Sequence, residues 1–597
     1  MDKSSLWEFK TLLPYLSRYK WQYILGFTCL LTVDAAQVII PQFMRQAVDV
    51  ISEGNFSLQR VVVSAAAMVG LMTTVSLGRF LWRYFIHGSS RRIETEMRKN
   101  LFEHLLSLSY DFYQQNKIGD LMARATSDVN TVRESIGMGL VVLIDGTVMA
   151  AAILVIIFVQ DAKTAAFAVL PLPVITIIIL RFGSLVGKRF QRVQECYSAM
   201  SNMVQETFAG IRVIKSFVKE WWFIEKFADT NDDYRDANML LVKLFGFFFP
   251  FISFLSGLTI LIVLLAGGIQ VIQGNMTPGG LVAMFSYLRM LIWPLMGAGF
   301  MVNMIQRGAV SLGRINRIMR TLPAIVSPLS AGAASLDPSL PLIEIKNLSF
   351  TYPNGSEVLR DISLSIKAGS VTGIIGRTGS GKSTLIKAMI RMIEAPAGTV
   401  FIKGLEAASW NLEELRKLYG VTPQDSYLFS DSLKNNIAYG LENPLDEKLK
   451  NAASVSAIEK DLAEFSGGWD TLIGERGLTL SGGQKQRTAM ARSLAVEREI
   501  LVLDDSFSAV DAETERRILD SLMSLKNSAG NLTIIIVSHR VSTLSRCDTV
   551  FVLDSGRVTE SGTPEKLLKS GGFFAHTAAL QRLGEGETGE TGGVARG

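Results

Sequence analysis

The run Gly376-Arg377-Thr378-Gly379-Ser380-Gly381-Lys382-Ser383-Thr384 gathers glycines, a lysine and hydroxyl side chains into one short segment. Glycines let a backbone approach a phosphate closely, and amides at a helix N-terminus surround the anion. A lysine at position 382 reaches β- and γ-phosphates, and a serine hydroxyl at 383 ligates Mg2+. The apolar strand pattern VTGII precedes the run and a helical pattern follows it. That context separates a phosphate loop from a plain glycine-rich turn. A second element, ILVLDD, is an apolar run ending in Asp504. Alone it reads as an ordinary core strand. Beside a phosphate loop, its terminal aspartate is placed to hold the magnesium of a bound nucleoside triphosphate. A magnesium-bound nucleotide is the ligand these two elements imply.

The elements that must position this chemistry lie in the second half of the chain. LIEIKNLSFTY alternates apolar and polar residues as a half-buried strand does, and strand and helix patterns alternate from there to about residue 583. The segment 342–583 is therefore expected to be an α/β nucleotide-binding domain. Residues 323–341, rich in proline, serine and alanine, read as a linker. Residues 584–597, rich in glycine and glutamate, read as a disordered tail.

The first half is different. The chain has 597 residues, 48% hydrophobic and only 19% charged, with a mean hydropathy of +0.28. Apolar stretches at about 21–48, 58–86, 137–160, 163–183, 245–273 and 281–306 can each supply a span of roughly 20 residues. Residues 1–322 are expected to form a transmembrane domain of six helices. The third and fourth spans are separated only by Asp161-Ala162-Lys163, which makes them a tight hairpin. Basic residues crowd the N-terminus and the segments between spans two and three and between spans four and five. The lysine and arginine bias puts these segments, and both termini, in the cytoplasm. Helical periodicity in both long connections predicts membrane helices that continue into the cytoplasm. The start of the chain lacks the short apolar core and cleavage site of a signal peptide. Asp34 and Asp145 fall inside spans; each reads either as a buried polar group bonded to another helix or as a cavity contact for a cationic substrate. Arg79, Arg83 and Arg289 lie nearer span ends, where they can snorkel.

Other classes are excluded. A disordered chain does not carry this much apolar surface. Cys29, Cys196 and Cys547 match neither a disulfide scaffold nor a zinc spacing. A net charge of +5 is too balanced for a nucleic-acid partner.

Between the two nucleotide elements lies Leu480-Ser481-Gly482-Gly483-Gln484. With it the chain resembles an ATP-binding cassette (ABC) exporter half-transporter of the type I fold, in which six membrane helices are fused to one P-loop nucleotide-binding domain. The resemblance implies that Ser481, Gly482, Gly483 and Gln484 face the γ-phosphate held by the other cassette of a dimer. It implies further roles residue by residue. Tyr352 is similar to the aromatic that stacks on adenine. Gln424 is similar to the glutamine that touches magnesium and senses the membrane domain. Thr471 to Gly477 resembles the segment that precedes the signature in exporters. Ser508 to Asp511 resembles the loop that crosses the cassette dimer, and His539 the switch histidine at the γ-phosphate. The stretches around Gly119-Asp120-Leu121 and Gly210-Ile211-Arg212 resemble coupling helices.

One position departs from the family pattern. Exporters usually place glutamate directly after the magnesium aspartate as general base, and here Asp505 follows Asp504. One methylene fewer withdraws the carboxylate by roughly 1.5 Å, and a misplacement of about 1 Å can lower a rate about a hundredfold. With an intact signature, this resembles the degenerate-site chain of a heterodimeric multidrug-type exporter: its own loop and Asp505 form a slow site, and its signature completes the partner's working site. A homodimeric exporter of lipid or drug in which Asp505 works as a base, and an ATP-gated channel or regulatory subunit, remain alternatives. The expected partners are a second half-transporter, the lipid bilayer and a hydrophobic or amphipathic small molecule, with the chain in the plasma (inner) membrane. Phe247, Phe248, Phe249, Phe251, Met301 and Met304 suit hydrophobic ligands but equally suit plain helix packing.

Overall fold

The computed structural model describes residues 7–52, 58–328, 340–474, 477 and 480–590. The chain divides into two units, one of residues 1–106 with 116–321 and one of residues 107–115 with 322–597.

The first unit is helical. Its long helices are α1 (Lys20–Ser52), α2 (Leu58–Trp82), α3 (Gly88–Ser107), α4 (Leu140–Gln160), α5 (Leu172–Ala209), α6 (Glu220–Ile272) and α7 (Pro278–Met319). A π-helical turn, Arg83–His87, joins α2 to α3 without a break. Among the described residues, four helical runs are long and apolar enough to cross a membrane: Lys20–Ser52, Leu58–Ser107, Ile118–Gln160 and Glu220–Ile272. The other two expected spans lie on Ala162–Val169 with the start of α5, and on α7. Runs of 50 and 53 residues, at about 1.5 Å per residue, far exceed the roughly 30 Å of hydrocarbon. These helices continue beyond the bilayer, as their periodicity predicts.

The expected hairpin is present. Asp161 has an extended backbone, and its carboxylate accepts from the Lys163 and Thr164 amides, which ends one helix and caps the next. The bundle core centres on Tyr287, packed with Met284, Leu291, Ile153 and Ile157. Burying a tyrosine leaves a hydroxyl to satisfy. Here it donates to the Val38 carbonyl at 2.8 Å and accepts from Gln42 Nε2 at 3.0 Å, tying α7 to α1. Outside the apolar stretches, buried carboxylates are paired: Glu94 with Arg98 and Arg133, and Asp128 with Ser311 and Arg314.

Among the described residues, the second unit holds ten strands in two sheets. An antiparallel sheet runs β2-β1-β4-β5, from β1 (Ile343–Thr351), β2 (Glu357–Ile366), β4 (Val400–Ile402) and β5 (Leu405–Glu406). The larger sheet runs β10-β9-β3-β8-β7-β6, from β3 (Val371–Gly376), β6 (Tyr419–Thr422), β7 (Ile500–Asp504), β8 (Thr533–Val537), β9 (Thr549–Asp554) and β10 (Arg557–Gly562). It is parallel except at β10. Strands β3, β7 and β8 are buried along their whole length, as a sheet covered on both faces requires. Ile374, Val502 and Ile535 pack on one side with Ile345, Leu348 and Leu364 of the smaller sheet. Ile375, Leu503 and Ile534 pack on the other with Met490, Leu494 and Ile518.

Two boundaries differ from expectation. Helix α11 (Phe573–Glu590) continues over 584–590, so that part of the expected disordered tail is helical; 591–597 lie outside the described residues. The linker's first residues belong to the nucleotide-binding unit, where the Ile325 amide donates to Ser109 Oγ at 2.9 Å; 329–339 lie outside the described residues. Within the first long extension, residues 107–115 group with the second unit and the stretch around Gly119 groups with the helical unit.

Candidate nucleotide site

Parallel strands in register end on one edge, and that edge collects the chemistry. Gly376 pairs with Leu553, Asp504 with Val537, and Thr422 with Leu503. The loops leaving β3, β6, β7 and β8 therefore emerge together, at the carboxyl ends where open α/β sheets bind ligands.

The loop after β3 leads into α8 (Lys382–Met389). Gly376 and Gly381 are required by space. A Cβ on Gly376 would lie 2.1 Å from the Leu553 carbonyl oxygen, and one on Gly381, at φ +104°, would lie 2.7 Å from Leu359. Thr378 and Gly379 are exposed, and Ser380 is buried with its hydroxyl unpartnered among the described residues. The buried Lys382 ammonium donates to the Gly376 and Arg377 carbonyls, each at 2.9 Å. Burial holds it below the usual lysine range, against the opposing pull of Asp504 and Asp505. Tyr352 reaches the same helix, its hydroxyl 3.2 Å from Thr384 Oγ1.

Asp504 sits buried at the tip of β7. Burial pushes its carboxyl above the usual aspartate range; the Ser383 hydroxyl, hydrogen-bonded to it, opposes that, while the Asp505 charge adds to it. A buried carboxylate against a hydroxyl is a hard-oxygen pair of the kind Mg2+ takes. His539 lies just past β8. Burial first, and the Lys382 charge second, hold its imidazole below the usual histidine range. Its carbonyl accepts from Gln581 Nε2 at 2.7 Å. Gln424 is exposed just past β6.

The signature opens α9 (Gly482–Ala495). Ser481 is its N-cap and forms a reciprocal capping box with Gln484. Gln484 Nε2 also donates to Asp461 at 3.0 Å. Ser481 and Gly482 are exposed. Of the segment before the signature, Thr471 to Gly474 and Gly477 are described; Glu475 and Arg476 lie outside the described residues.

Sequence reasoning missed Gln486. Its Oε1 accepts from the Ala509 amide at 3.0 Å, and its Nε2 donates to Ser508 Oγ at 2.8 Å and to the Asp505 carbonyl at 3.4 Å. It ties the signature helix to the loop 505–511, which ends where Asp511 caps α10 (Ala512–Ala529). Asp505 has a left-handed backbone, φ +49°. Its amide donates to the Val537 carbonyl at 3.0 Å, and its carbonyl also accepts from Ser508 Oγ at 3.1 Å.

A phosphate loop, a buried aspartate and a histidine on one sheet edge, in a chain that also carries membrane-length helices, define a membrane protein with a P-loop nucleotide-binding domain. Comparison with known proteins takes this further. A model described as the ABC transporter transmembrane region matches residues 23–295, and one described as ABC transporter matches residues 359–508. The chain belongs to the ABC transporter family, as an exporter whose transmembrane region and ATP-binding domain share one polypeptide. It is 34% identical over 97% of its length to the probable multidrug resistance ABC transporter ATP-binding/permease protein YheI of Bacillus subtilis (strain 168), covering 98% of that protein. It is 32% identical to the multidrug resistance-like ATP-binding protein MdlA of Escherichia coli (strain K12), over 96% of both chains. It is 30% identical to the ATP-dependent lipid A-core flippase of Syntrophus aciditrophicus (strain SB), over 96% of this chain and 94% of that one. A solved bacterial Atm1-family ABC exporter with ATP bound is similar at a TM-score of 0.76 and 26% identity, covering 95% of this chain and 98% of that one.

Proposed function

We propose that this chain is one half of a heterodimeric exporter with unequal ATP sites, which moves hydrophobic or amphipathic compounds out of the cytoplasm across the plasma membrane. Exporters of this family act as dimers, so the chain contributes to two sites. In its own, Lys382, the loop residues Gly376 and Thr378 to Thr384, and Tyr352 bind ATP. Ser383, Asp504 and Gln424 hold Mg2+, which when bound offsets phosphate charge, and His539 contacts the γ-phosphate. The signature, Ser481 to Gln484, completes the partner's site. ATP binding closes the cassettes and biases the cavity outward, and hydrolysis resets it.

One observation carries the asymmetry. A carboxylate shortened by one methylene serves as a base only if its backbone moves toward the water. At Asp505 the amide is bound to Val537 and the carbonyl to Gln486 and Ser508, which opposes that movement. The left-handed φ also suits aspartate better than a longer side chain. The site is thus built to bind ATP and to cleave it slowly.

The test is Asp505→Ala in the native complex. Steady-state ATPase should fall less than threefold, while removing the partner's corresponding glutamate should nearly stop it. A hundredfold loss from Asp505→Ala, about 2.7 kcal/mol of barrier, would mean that Asp505 is a working base and would favour the homodimer.

A further inference from the structure

The helical unit contains a cavity of about 570 Å3, within the roughly 300–1,000 Å3 common for small-molecule sites. Arg79 of α2, Arg83 of the π-helical turn and Arg289 of α7 line it, with Asp145 of α4. Asp145 is thus a cavity residue, but it shares the lining with three arginines, which argues against a cationic substrate. Arg79 donates to Gln37 Oε1 at 3.2 Å, and the Arg83 guanidinium lies 5.4 Å from the Trp82 ring centroid. None of the three forms an ion pair among the described residues. Asp145, in the same lining, neighbours Asp34, and Arg79 acts on Asp34 through its charge. Asp34 is only 3% exposed, and its hydrogen-bonding neighbour is the Asp145 side chain.

Guanidinium groups stay charged in proteins, so three of them against two carboxyls leave an excess positive charge whatever the state of the carboxyls. Unpaired arginines inside apolar helices are costly and mark substrate pathways. A π-helical turn is itself a rare element that recurs at functional sites, and here it delivers Arg83. Apart from Gln37 and His87, the remaining walls are apolar, with Trp82, Trp293, Val141 and Met149 among them. The combination is cationic at a few points and apolar over the rest.

We infer that this cavity seats an amphipathic anion, with its carboxylate, sulfonate or phosphate among Arg79, Arg83 and Arg289 and its apolar body against the tryptophans. The inference rests on the exporter reading above and names its substrate class. The same chemistry is offered by a lipid with an anionic headgroup and by a soluble aromatic anion.

The test is equilibrium binding to the full native complex without nucleotide, read by energy transfer from tryptophan. The soluble arm compares 1-pyrenesulfonate with the size-matched cation 1-pyrenemethylammonium. The lipid arm compares pyrenyl-phosphatidylglycerol with pyrenyl-phosphatidylcholine. In at least one arm the anion should bind at least tenfold more tightly. Arg79→Gln, Arg83→Gln and Arg289→Gln should each weaken that binding at least fivefold, and Asp145→Asn should tighten it. These opposite signs are not expected of general misfolding. Preference in the lipid arm alone assigns the anion to a lipid, and in the soluble arm alone to a solute. Equal or tighter binding of the cation or the neutral-headgroup lipid in both arms, a comparison that needs no variant, overturns the inference. So does an anion affinity unmoved by all three arginine substitutions. Because binding is read without nucleotide, failure of the exporter reading is scored separately, by an absence of ATP-driven vesicle transport of any compound.

Discussion

At Lys382 the ammonium is buried against two loop carbonyls and faces two carboxylates. A phosphate there gains a charge-assisted partner worth about 1.5–3 kcal/mol. Lys382→Ala should therefore weaken ATP binding at this chain's own site at least tenfold, read by titration of the purified complex with a fluorescent ATP analogue. Unchanged affinity at that site would remove Lys382 from the phosphate site. This residue was legible in the sequence because its neighbours in space are its neighbours in the chain. The same holds for the capping box of Ser481 and Gln484, whereas Ser383, bonded to the distant Asp504, was legible from its place in the glycine-rich run. Gln486 was not legible, since its bonds to Asp505, Ser508 and Ala509 join segments that only the fold brings together.

At the scale of elements, the signature helix and the loop after β7 pack closely enough to separate two adjacent glycines. A Cβ on Gly482 would sit 3.4 Å from the Ala509 Cβ, an ordinary contact, whereas one on Gly483 would sit 2.8 Å from the Ala509 carbonyl oxygen, which is backbone. Gly483→Ala should displace the loop 505–511 and lower the thermal midpoint of the cassette. Gly482→Ala should leave that midpoint within about 2 °C. Both should reduce ATPase, because both crowd the surface offered to the partner's nucleotide. A large drop in midpoint from Gly482→Ala would mean that the packing differs. Element type was readable from period and flanks: alternation marked β1, and fully apolar runs marked β3, β7 and β8. Composition misled at the C-terminus, where glycine and glutamate suggested disorder but α11 continues over 584–590. Hydropathy placed Arg79, Arg83 and Arg289 near span ends but carries no information on which neighbour a helix face meets. That required the packing of α1, α2, α4 and α7.

At the scale of the whole molecule, the signature on one chain lies exposed at Ser481 and Gly482, and Asp505 is held by both sides of its backbone. Under the proposed reading of Asp505, a homodimer would place it in both sites, giving two slow sites and no fast one. A heterodimer with a glutamate-bearing partner leaves one fast site, built from that partner's phosphate loop and this chain's LSGGQ. The composition of the native complex therefore carries a definite expectation. Affinity capture of this chain from its own membranes, followed by intact-mass measurement, should return a second half-transporter with glutamate after its magnesium aspartate and an altered signature. The chain produced alone should bind ATP yet hydrolyse it at least thirtyfold more slowly than the captured complex. Adding the partner should restore turnover, and Ser481→Ala on this chain should remove most of it again, because the restored site uses this chain's signature. A captured complex with a single mass, hydrolysing ATP as fast as the chain produced alone, would instead assign full competence to Asp505 in both halves.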